Sequence, residues 1–302
     1  MNTCVIETSD LTVYYGRQRG IQNLNLAVQE GEVYGFLGPN GAGKTTTLRV
    51  LLDIIRPTNG KAYLFGLDCQ KEGAQARKRI GYTPGELSLY PHMQGDQYLD
   101  MVDSIRGNTA DPQYRRELCA RLDLDTRRRM RDYSRGNKQK VGLVAAFMGQ
   151  PDLLILDEPS AGLDPLVQQT VLELVREAKA GGRTVFFSSH VLPEVQAVCD
   201  RVGIIRDGQL VATERVESLI KQQFLRLHLS FARTPPAGAF IFEGVTEVSR
   251  HDQNIILEIR ESLNAVLAAA VEYQVTNIET HPVTLEEVFL AFYGNHRGGN
   301  HA

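Results

Sequence analysis

A short glycine-rich segment has the residue types and the spacing of a phosphate-binding loop. The pattern G-x-x-x-x-G-K-[ST] is matched at every fixed position by Gly38, Pro39, Asn40, Gly41, Ala42, Gly43, Lys44 and Thr45, and Thr46 follows. Glycines let backbone N–H groups turn toward an anion, and the start of a helix adds positive potential. We expect the Lys44 ammonium to reach the β- and γ-phosphates of a nucleoside triphosphate and the Thr45 hydroxyl to bind Mg²⁺.

Two carboxylates follow a second apolar segment. Residues 153–156 are all apolar and lead directly into Asp157 and Glu158. This composition is typical of a strand buried on both faces of a parallel sheet, where two carboxylates are costly without a cation or a catalytic task. Asp157 suits the Mg²⁺ shell, and Glu158 suits a general base for water that attacks the γ-phosphate. A helix N-cap, the alternative interpretation, explains one acid but not both.

Two further segments have related chemistry. The apolar segment "RTVFFSSH" ends in His190, which we interpret as a γ-phosphate contact; the alternative is a structural histidine. The segment "YSRGNKQK" places Ser134 and Gly136 among three cations just before an apolar run. Such a composition is typical of a helix start that holds an anion, although a solvated N-cap has the same residues.

The elements that must position these residues are predicted from the spacing of apolar side chains. Residues 32–37 predict a short strand before the loop, and helical spacing after Lys44 predicts a helix that stops before Pro57. Residues 3–30 alternate as in a small antiparallel sheet, and residues 87–150 are rich in helix signals. A glycine-rich turn before an ordinary helix does not account for this agreement between the loop and its flanking elements.

The character of the sequence changes after about residue 220. The segments "FLRLHLSF" and "NIILEI" alternate like strands, and apolar residues over 263–270 recur at helical spacing. A capping box at Thr284 and Glu287 predicts one more helix, ahead of a disordered tail. We therefore predict a large α/β domain over residues 1–220 and a small α+β domain over residues 221–302.

Composition narrows the class of partner. The 302 residues include 33 basic and 36 acidic residues, a net charge of -3, so no overall attraction to nucleic acid is expected. The basic run "RRRMRDYSR" has no interleaved stacking residues and is interpreted as a solvated face, without nucleic acid as a partner. We find no signal peptide and no apolar run near the roughly 20 residues that span a bilayer. We expect a cytoplasmic protein.

The motifs together resemble those of the nucleotide-binding subunits of ATP-binding-cassette (ABC) proteins, and their order matches across residues 3–220. The resemblance implies a P-loop NTPase fold of class α/β. Its parts are a RecA-like parallel sheet core, an antiparallel β subdomain and a helical subdomain at about residues 87–150, followed here by the small α+β domain. It also implies that ATP and Mg²⁺ are bound, that Tyr15 stacks on adenine, that the D-loop contributes Asp164, and that His190 is the switch histidine.

The family's signature, usually Leu-Ser-Gly-Gly-Gln, corresponds here to residues 133–137, which include Ser134, Arg135, Gly136 and Asn137. Two subunits of this family sandwich ATP head to tail. The resemblance therefore implies an ATP-dependent homodimer in which each signature meets the nucleotide held by the partner's phosphate loop. Arg135 and Asn137 depart from the usual glycine and glutamine.

A second departure lies in "IGYTPGELSLYP". The family usually has a glutamine after the proline, where it contacts Mg²⁺ and the attacking water. This chain has Gly85 there, followed by Glu86. Either Glu86 or a bound water is expected to replace the glutamine, and we favour the water because two carboxylates near one γ-phosphate would repel it.

The resemblance extends to bacterial drug- and antibiotic-export ATPases through the carboxy-terminal extension and the segments "SRGNKQKVGL" and "SSHVLPEVQAVCDRVGIIRDGQLVAT". It implies an ATPase subunit that drives a separately encoded membrane permease, probably an exporter in function, and that lies at the cytoplasmic face of the cell membrane through that permease. Two alternatives are a soluble ABC ATPase, for example of the iron–sulfur assembly type, and a slowly hydrolysing regulatory subunit, which the missing glutamine favours.

Overall fold

The computed structural model describes residues 4–85, 87, 90–221 and 225–281. Its contacts divide the chain into two compact units, Met1–Val216 and Glu217–Ala302. The domain boundary predicted after residue 220 lies just beyond this division. Glu86, the capping box at Thr284 and Glu287, and the predicted tail lie outside the described residues. Within the described ranges, no helix is long and apolar enough to cross a membrane.

The first unit contains three groups of elements in one chain order. They are β1 (Cys4–Tyr15), β2 (Gln18–Gln29), β3 (Val33–Leu37), α1 (Lys44–Leu51), β4 (Asn59–Leu64), β5 (Leu67–Asp68), α2 (Gly73–Arg77), β6 (Ile80–Thr83), α3 (Gly95–Arg106), α4 (Pro112–Arg121), a 3-10 turn (Met130–Asp132), α5 (Arg135–Phe147), β7 (Leu153–Asp157), α6 (Pro165–Ala180), β8 (Thr184–Ser189), α7 (Leu192–Val198), β9 (Arg201–Arg206) and β10 (Gln209–Arg215).

The central sheet of this unit has six strands in the order β10-β9-β3-β8-β7-β6. Strands β9, β3, β8, β7 and β6 pair in parallel, and β10 joins β9 as an antiparallel hairpin. Every residue of β3, β7 and β8 is buried, as expected for strands covered on both faces. Because these neighbours run in parallel, their carboxyl ends meet at one edge, which brings together the segments that follow them.

A second sheet has the order β2-β1-β4-β5, and its neighbouring strands pair antiparallel. Aliphatic residues from this sheet and from α1 form one hydrophobic core with Tyr34, Phe36 and Phe186 of the central sheet. The rings of Phe36 and Phe186 pack with centroids 5.2 Å apart. Fully burying one such side chain stabilises a fold by roughly 1.5–3 kcal/mol, so this core holds the two sheets together.

Three helix starts in this unit depend on specific residues. Gly43 precedes α1 with a φ of 109°, and a Cβ there would lie 2.7 Å from the Ile21 side chain, so only glycine fits. The Ser134 hydroxyl caps α5 by accepting from the Asn137 N–H at 3.2 Å. The Asp164 carboxylate caps α6 in the same way.

The second unit follows α8 (Val216–Lys221), which spans the division. It contains β11 (Leu225–Phe231), β12 (Val245–His251), β13 (Asn254–Ile259), α9 (Leu263–Glu272) and β14 (Val275–His281). The sheet order is β12-β13-β11-β14, and Val266, Ala269 and Ala270 of α9 share a core with the inward residues of β11 and β13.

The sequence signals found β11, β13 and α9 but not β12 or β14. Both missed strands lie at the edges of the sheet, and their sequences "VTEVSRH" and "VTNIETH" contain few apolar residues. Edge strands bury less side-chain surface than central strands, so they show a weaker alternation.

Candidate functional site

The phosphate loop joins β3 to α1 and holds Lys44 in a buried position. The Lys44 side chain is only 5% exposed, and its Nζ donates to the carbonyl oxygens of Gly38 at 2.6 Å and Pro39 at 3.3 Å. The same Nζ lies 3.2 Å from Glu158 Oε1. The ammonium is therefore fixed by the loop backbone and already faces an acidic partner from the end of β7.

Asp157 lies at the carboxyl end of β7 and is almost fully buried. Its Oδ2 accepts from the Thr45 hydroxyl at 2.9 Å, and its Oδ1 accepts from the Ser188 hydroxyl at 2.9 Å. Burial raises the pKa of the Asp157 carboxyl, although the two hydroxyl donors oppose that shift. A buried carboxylate beside a hydroxyl offers the hard oxygen donors that Mg²⁺ prefers, so the predicted pair of ligands fits this ion.

Glu158 follows the strand in a left-handed backbone conformation, with a φ of 48°. Such conformations are uncommon outside glycine and cluster at functional sites. The Glu158 N–H donates to Ser188 O at 3.0 Å, and its Oε1 lies 3.3 Å from His190 Nδ1 as well as near Lys44. The structure thus brings together Lys44, Glu158 and His190 around one carboxylate.

A cavity of about 260 Å³ opens beside the phosphate loop. Its lining includes Tyr15 from the end of β1 and Glu158. The rest of the lining is made of two groups, the turn residues Gln18, Arg19 and Gly20 and the loop residues Pro39, Asn40, Gly41, Gly43, Lys44, Thr45 and Thr46. Tyr15 is 45% exposed, and its hydroxyl lies 3.4 Å from Thr46 Oγ1. The sequence reasoning missed the turn residues, for which the hairpin sequence "YGRQRG" is the available signal.

Gly85 follows β6 and lies beside the acidic edge. A Cβ at this position would be 3.5 Å from Asp157 Oδ2, within ordinary contact distance. A side chain placed at residue 85 would thus start next to the expected Mg²⁺ ligand. The replacement considered for the missing glutamine, Glu86, lies outside the described residues.

The predicted signature residues do not line this cavity. Ser134 and Arg135 are exposed at the start of α5, and Gly136 and Asn137 are partly buried. The segment before Asp164 packs against them, since a Cβ on Gly162 would lie 3.7 Å from the Arg135 side chain. The structure therefore groups signature and D-loop apart from the phosphate cavity of the same chain.

Side chains that the sequence reasoning missed connect these segments. Gln139 of α5 donates its Nε2 to the backbone oxygens of Glu158 at 3.4 Å and Pro159 at 3.3 Å. Glu194 of α7 contacts the segments on both sides of the acidic edge. No local pattern marks either residue, because both contacts join parts of the chain that are distant in sequence.

Comparison with known proteins identifies the family. The profile of the ABC transporter family matches residues 21–161. The bacitracin transport ATP-binding protein BcrA of Bacillus licheniformis is 37% identical over 233 residues, covering 75% of this chain and 75% of the relative. The chain belongs to the ABC transporter family.

The ABC family assignment extends beyond the profile match. The daunorubicin/doxorubicin resistance ATP-binding protein DrrA of Streptomyces peucetius is 33% identical over 308 residues, covering 97% of this chain and 93% of the relative. A solved ATP-binding subunit of an ABC transporter superposes with a TM-score of 0.66 at 29% identity, covering 72% of this chain and 92% of that one. The family, the α/β fold and the ATPase activity predicted from the sequence are confirmed: the chain is an ATP-binding, ATP-hydrolysing ABC subunit, and its family implies a separate permease.

Proposed function

We propose that this ABC subunit hydrolyses MgATP at composite sites between two head-to-tail copies and thereby drives a separate permease that exports an antibiotic-like substrate. The observation that carries the proposal is the convergence of Lys44, Glu158 and His190 at the edge where Thr45 and Asp157 also meet. A cation, a carboxylate and an imidazole within hydrogen-bonding reach of one another are the groups that γ-phosphate transfer to water requires.

Each of these residues has a distinct role in the proposal. Lys44 binds the β- and γ-phosphates, and Glu158 orients water for in-line attack and accepts its proton. His190, 3.3 Å from Glu158, contacts the γ-phosphate and keeps the base oriented. Thr45 and Asp157 would hold Mg²⁺, which supplies charge neutralisation of the phosphate oxygens when bound.

The composite site is supported by the position of the signature. Ser134 and Arg135 are exposed on a helix start, and the signature residues lie outside the cavity of their own chain. A helix N-terminus with Ser134 and the Gly136 backbone is an anion site, so a second copy is the natural source of the phosphate it would meet. Tyr15, at the cavity edge, would stack on adenine.

The transport role is supported by relatives named for bacitracin transport and for daunorubicin/doxorubicin resistance, the latter matching along nearly the whole chain. We assign the protein to the cytoplasmic face of the cell membrane, held there by its permease. A slowly hydrolysing regulatory subunit is the second candidate, and Gly85 is the observation that favours it.

The transport proposal is tested by co-expression with an adjacently encoded membrane protein that has about six apolar segments long enough to span a bilayer. We expect the subunit to bind membranes only with that protein and to support ATP-dependent extrusion of an apolar antibiotic from cells. A Lys44→Ala variant, which still docks but cannot hold the phosphates, serves as the control. Equal binding to protein-free vesicles, or extrusion that persists with Lys44→Ala, would refute the coupling.

A further inference from the structure

Glu194 forms a buried bridge between two segments of the catalytic edge. It lies near the start of α7 and is 9% exposed. Its Oε1 accepts from the Ser160 hydroxyl at 2.5 Å, and its Oε2 accepts from the Ser189 hydroxyl at 2.8 Å. Within the described chain no basic side chain forms an ion pair with it, so these two hydroxyls are the donors that satisfy the carboxylate.

The two serines belong to the segments that carry the proposed catalytic groups. Ser160 lies two residues after Glu158, and Ser189 directly precedes His190. The Ser189 hydroxyl also accepts from the Val191 N–H at 2.9 Å, which fixes the backbone on the other side of the histidine. One carboxylate therefore connects the segment after β7 to the segment after β8.

The catalytic side chains themselves are not held by packing. The His190 side chain is 46% exposed and that of Glu158 is 24% exposed, yet their nearest atoms are 3.3 Å apart. The relative position of two partly exposed side chains depends on the backbone segments that carry them. The buried bridge through Ser160 and Ser189 is the contact that fixes those segments to each other.

We propose that Glu194 is a positioning residue for ATP hydrolysis, holding Glu158 in register with His190 without touching the nucleotide. Glu194 does not line the phosphate cavity, in agreement with an indirect role. The proposal rests on the proposed roles of Glu158 and His190, and it adds a residue on which both depend.

Two substitutions separate the bridge from the charge. In Glu194→Gln the amide oxygen accepts from one serine and the amide nitrogen donates to the other, whose hydroxyl rotates to accept. We expect this variant to keep turnover within about 3-fold of wild type. Glu194→Ala removes both acceptors, and because a misplacement of about 1 Å can cost roughly 10²-fold, we expect kcat to fall about 10–100-fold. The KM for ATP and the measured ATP affinity should change less than about 2-fold.

The decisive measurement is a double-variant cycle with His190. If Glu194 acts by positioning, His190→Ala/Glu194→Ala should be no slower than His190→Ala alone beyond about 2-fold, since residues that act as a unit are not additive. Losses that multiply would overturn the proposal. A rise in KM that accounts for the loss of kcat/KM would overturn it as well, because the bridge would then serve nucleotide binding.

Two controls guard against a loss of folding. Val198→Ala truncates a buried side chain of the same helix without touching the bridge, so at a matched loss of melting temperature it should retain wild-type kcat. Ser160→Ala removes one arm of the bridge with little change in volume and should lower kcat about 3–10-fold. Equal loss in Val198→Ala would assign the effect to stability and refute positioning. If the wild type itself fails to hydrolyse ATP, or Glu158→Gln retains full turnover, the proposed function fails instead.

Discussion

Gly85→Gln restores the side chain usually found at this position in the family, and the structure shows that there is room for it. A side chain would begin 3.5 Å from Asp157 Oδ2 and 3.6 Å from the Asp157 backbone oxygen, which are ordinary contacts, and the backbone at Gly85 is not left-handed. Replacing glycine in a compatible conformation stabilises a protein by about 0.4–1 kcal/mol, chiefly by restricting the unfolded chain. For a unit of this size that corresponds to a rise of about 1–4 °C in melting temperature.

The same restriction should affect turnover. Glycine costs roughly 0.5–1 kcal/mol more to order than alanine, so if ordering this backbone limits hydrolysis by the isolated subunit, relieving that cost raises kcat about 2–5-fold. Gly85→Ala is the matched control, because it restricts the backbone without adding an amide. We expect both variants to gain this factor in steady-state ATPase assays without permease, and any further gain in Gly85→Gln measures the amide beside Asp157.

With the permease present, the gain should largely disappear, since docking is expected to order the segment already. The reasoning is wrong if the isolated wild type hydrolyses ATP as fast as the assembled complex. It is also wrong if both variants raise the melting temperature but leave isolated turnover unchanged. A loss of all Mg²⁺-dependent activity in Glu86→Ala would show that Glu86, and not a water, replaces the glutamine.

Three further outcomes are expected. Glu158→Gln should preserve ATP binding, lower kcat about 10²–10⁴-fold and trap an ATP-dependent dimer in gel filtration, and wild-type turnover would remove Glu158 from the mechanism. Ser134→Arg and Lys44→Ala subunits should each be inactive, and mixing them should recover partial hydrolysis through one intact composite site; mixed dimers without recovery would contradict the head-to-tail arrangement. Arg121 of α4 donates to Glu177 of α6 at 2.7 and 2.8 Å and lowers the pKa of that carboxyl. A lowered pKa gives stability that is present above the ordinary value of 4.5 and lost as pH falls through the folded-state value. Arg121→Ala should therefore lower the free energy of unfolding by about 0.5–1 kcal/mol at pH 7, a figure reduced for the exposure of Glu177, and the difference should vanish in urea titrations well below pH 4.5. A difference that persists in acid would assign it to lost packing.

Local sequence was enough for parts of the site that depend on short spacing. The loop ending in Lys44 and Thr45 and the strand ending in Asp157 and Glu158 are each continuous, so their residue types alone indicate phosphate and metal chemistry. The parallel order of the strands that would bring these segments together was implied by the resemblance to a family. No periodicity in the chain states that Lys44 and Glu158 lie 3.2 Å apart.

Contacts between distant segments could not be predicted in this way. Glu194 and Ser160 are 34 positions apart, and a glutamate at a helix start is ordinarily a solvated residue. The turn residues Gln18 and Arg19 reach the cavity only because the antiparallel sheet packs beside the loop. The edge strands of the second unit were missed because pairing on one side leaves little apolar alternation to detect.

The composition of the cavity bears on which nucleotides the chain distinguishes. In the part of the chain that the structure describes, Tyr15 is the one aromatic residue in the cavity lining, whereas the loop presents Lys44, Thr45 and a row of backbone groups. A flat ring attracts every base, because each base has a π-face, and stacking therefore does not read base identity. We expect the triphosphate to provide most of the affinity, so that GTP competes with ATP nearly on equal terms and the cellular nucleotide pool decides which one fuels the cycle.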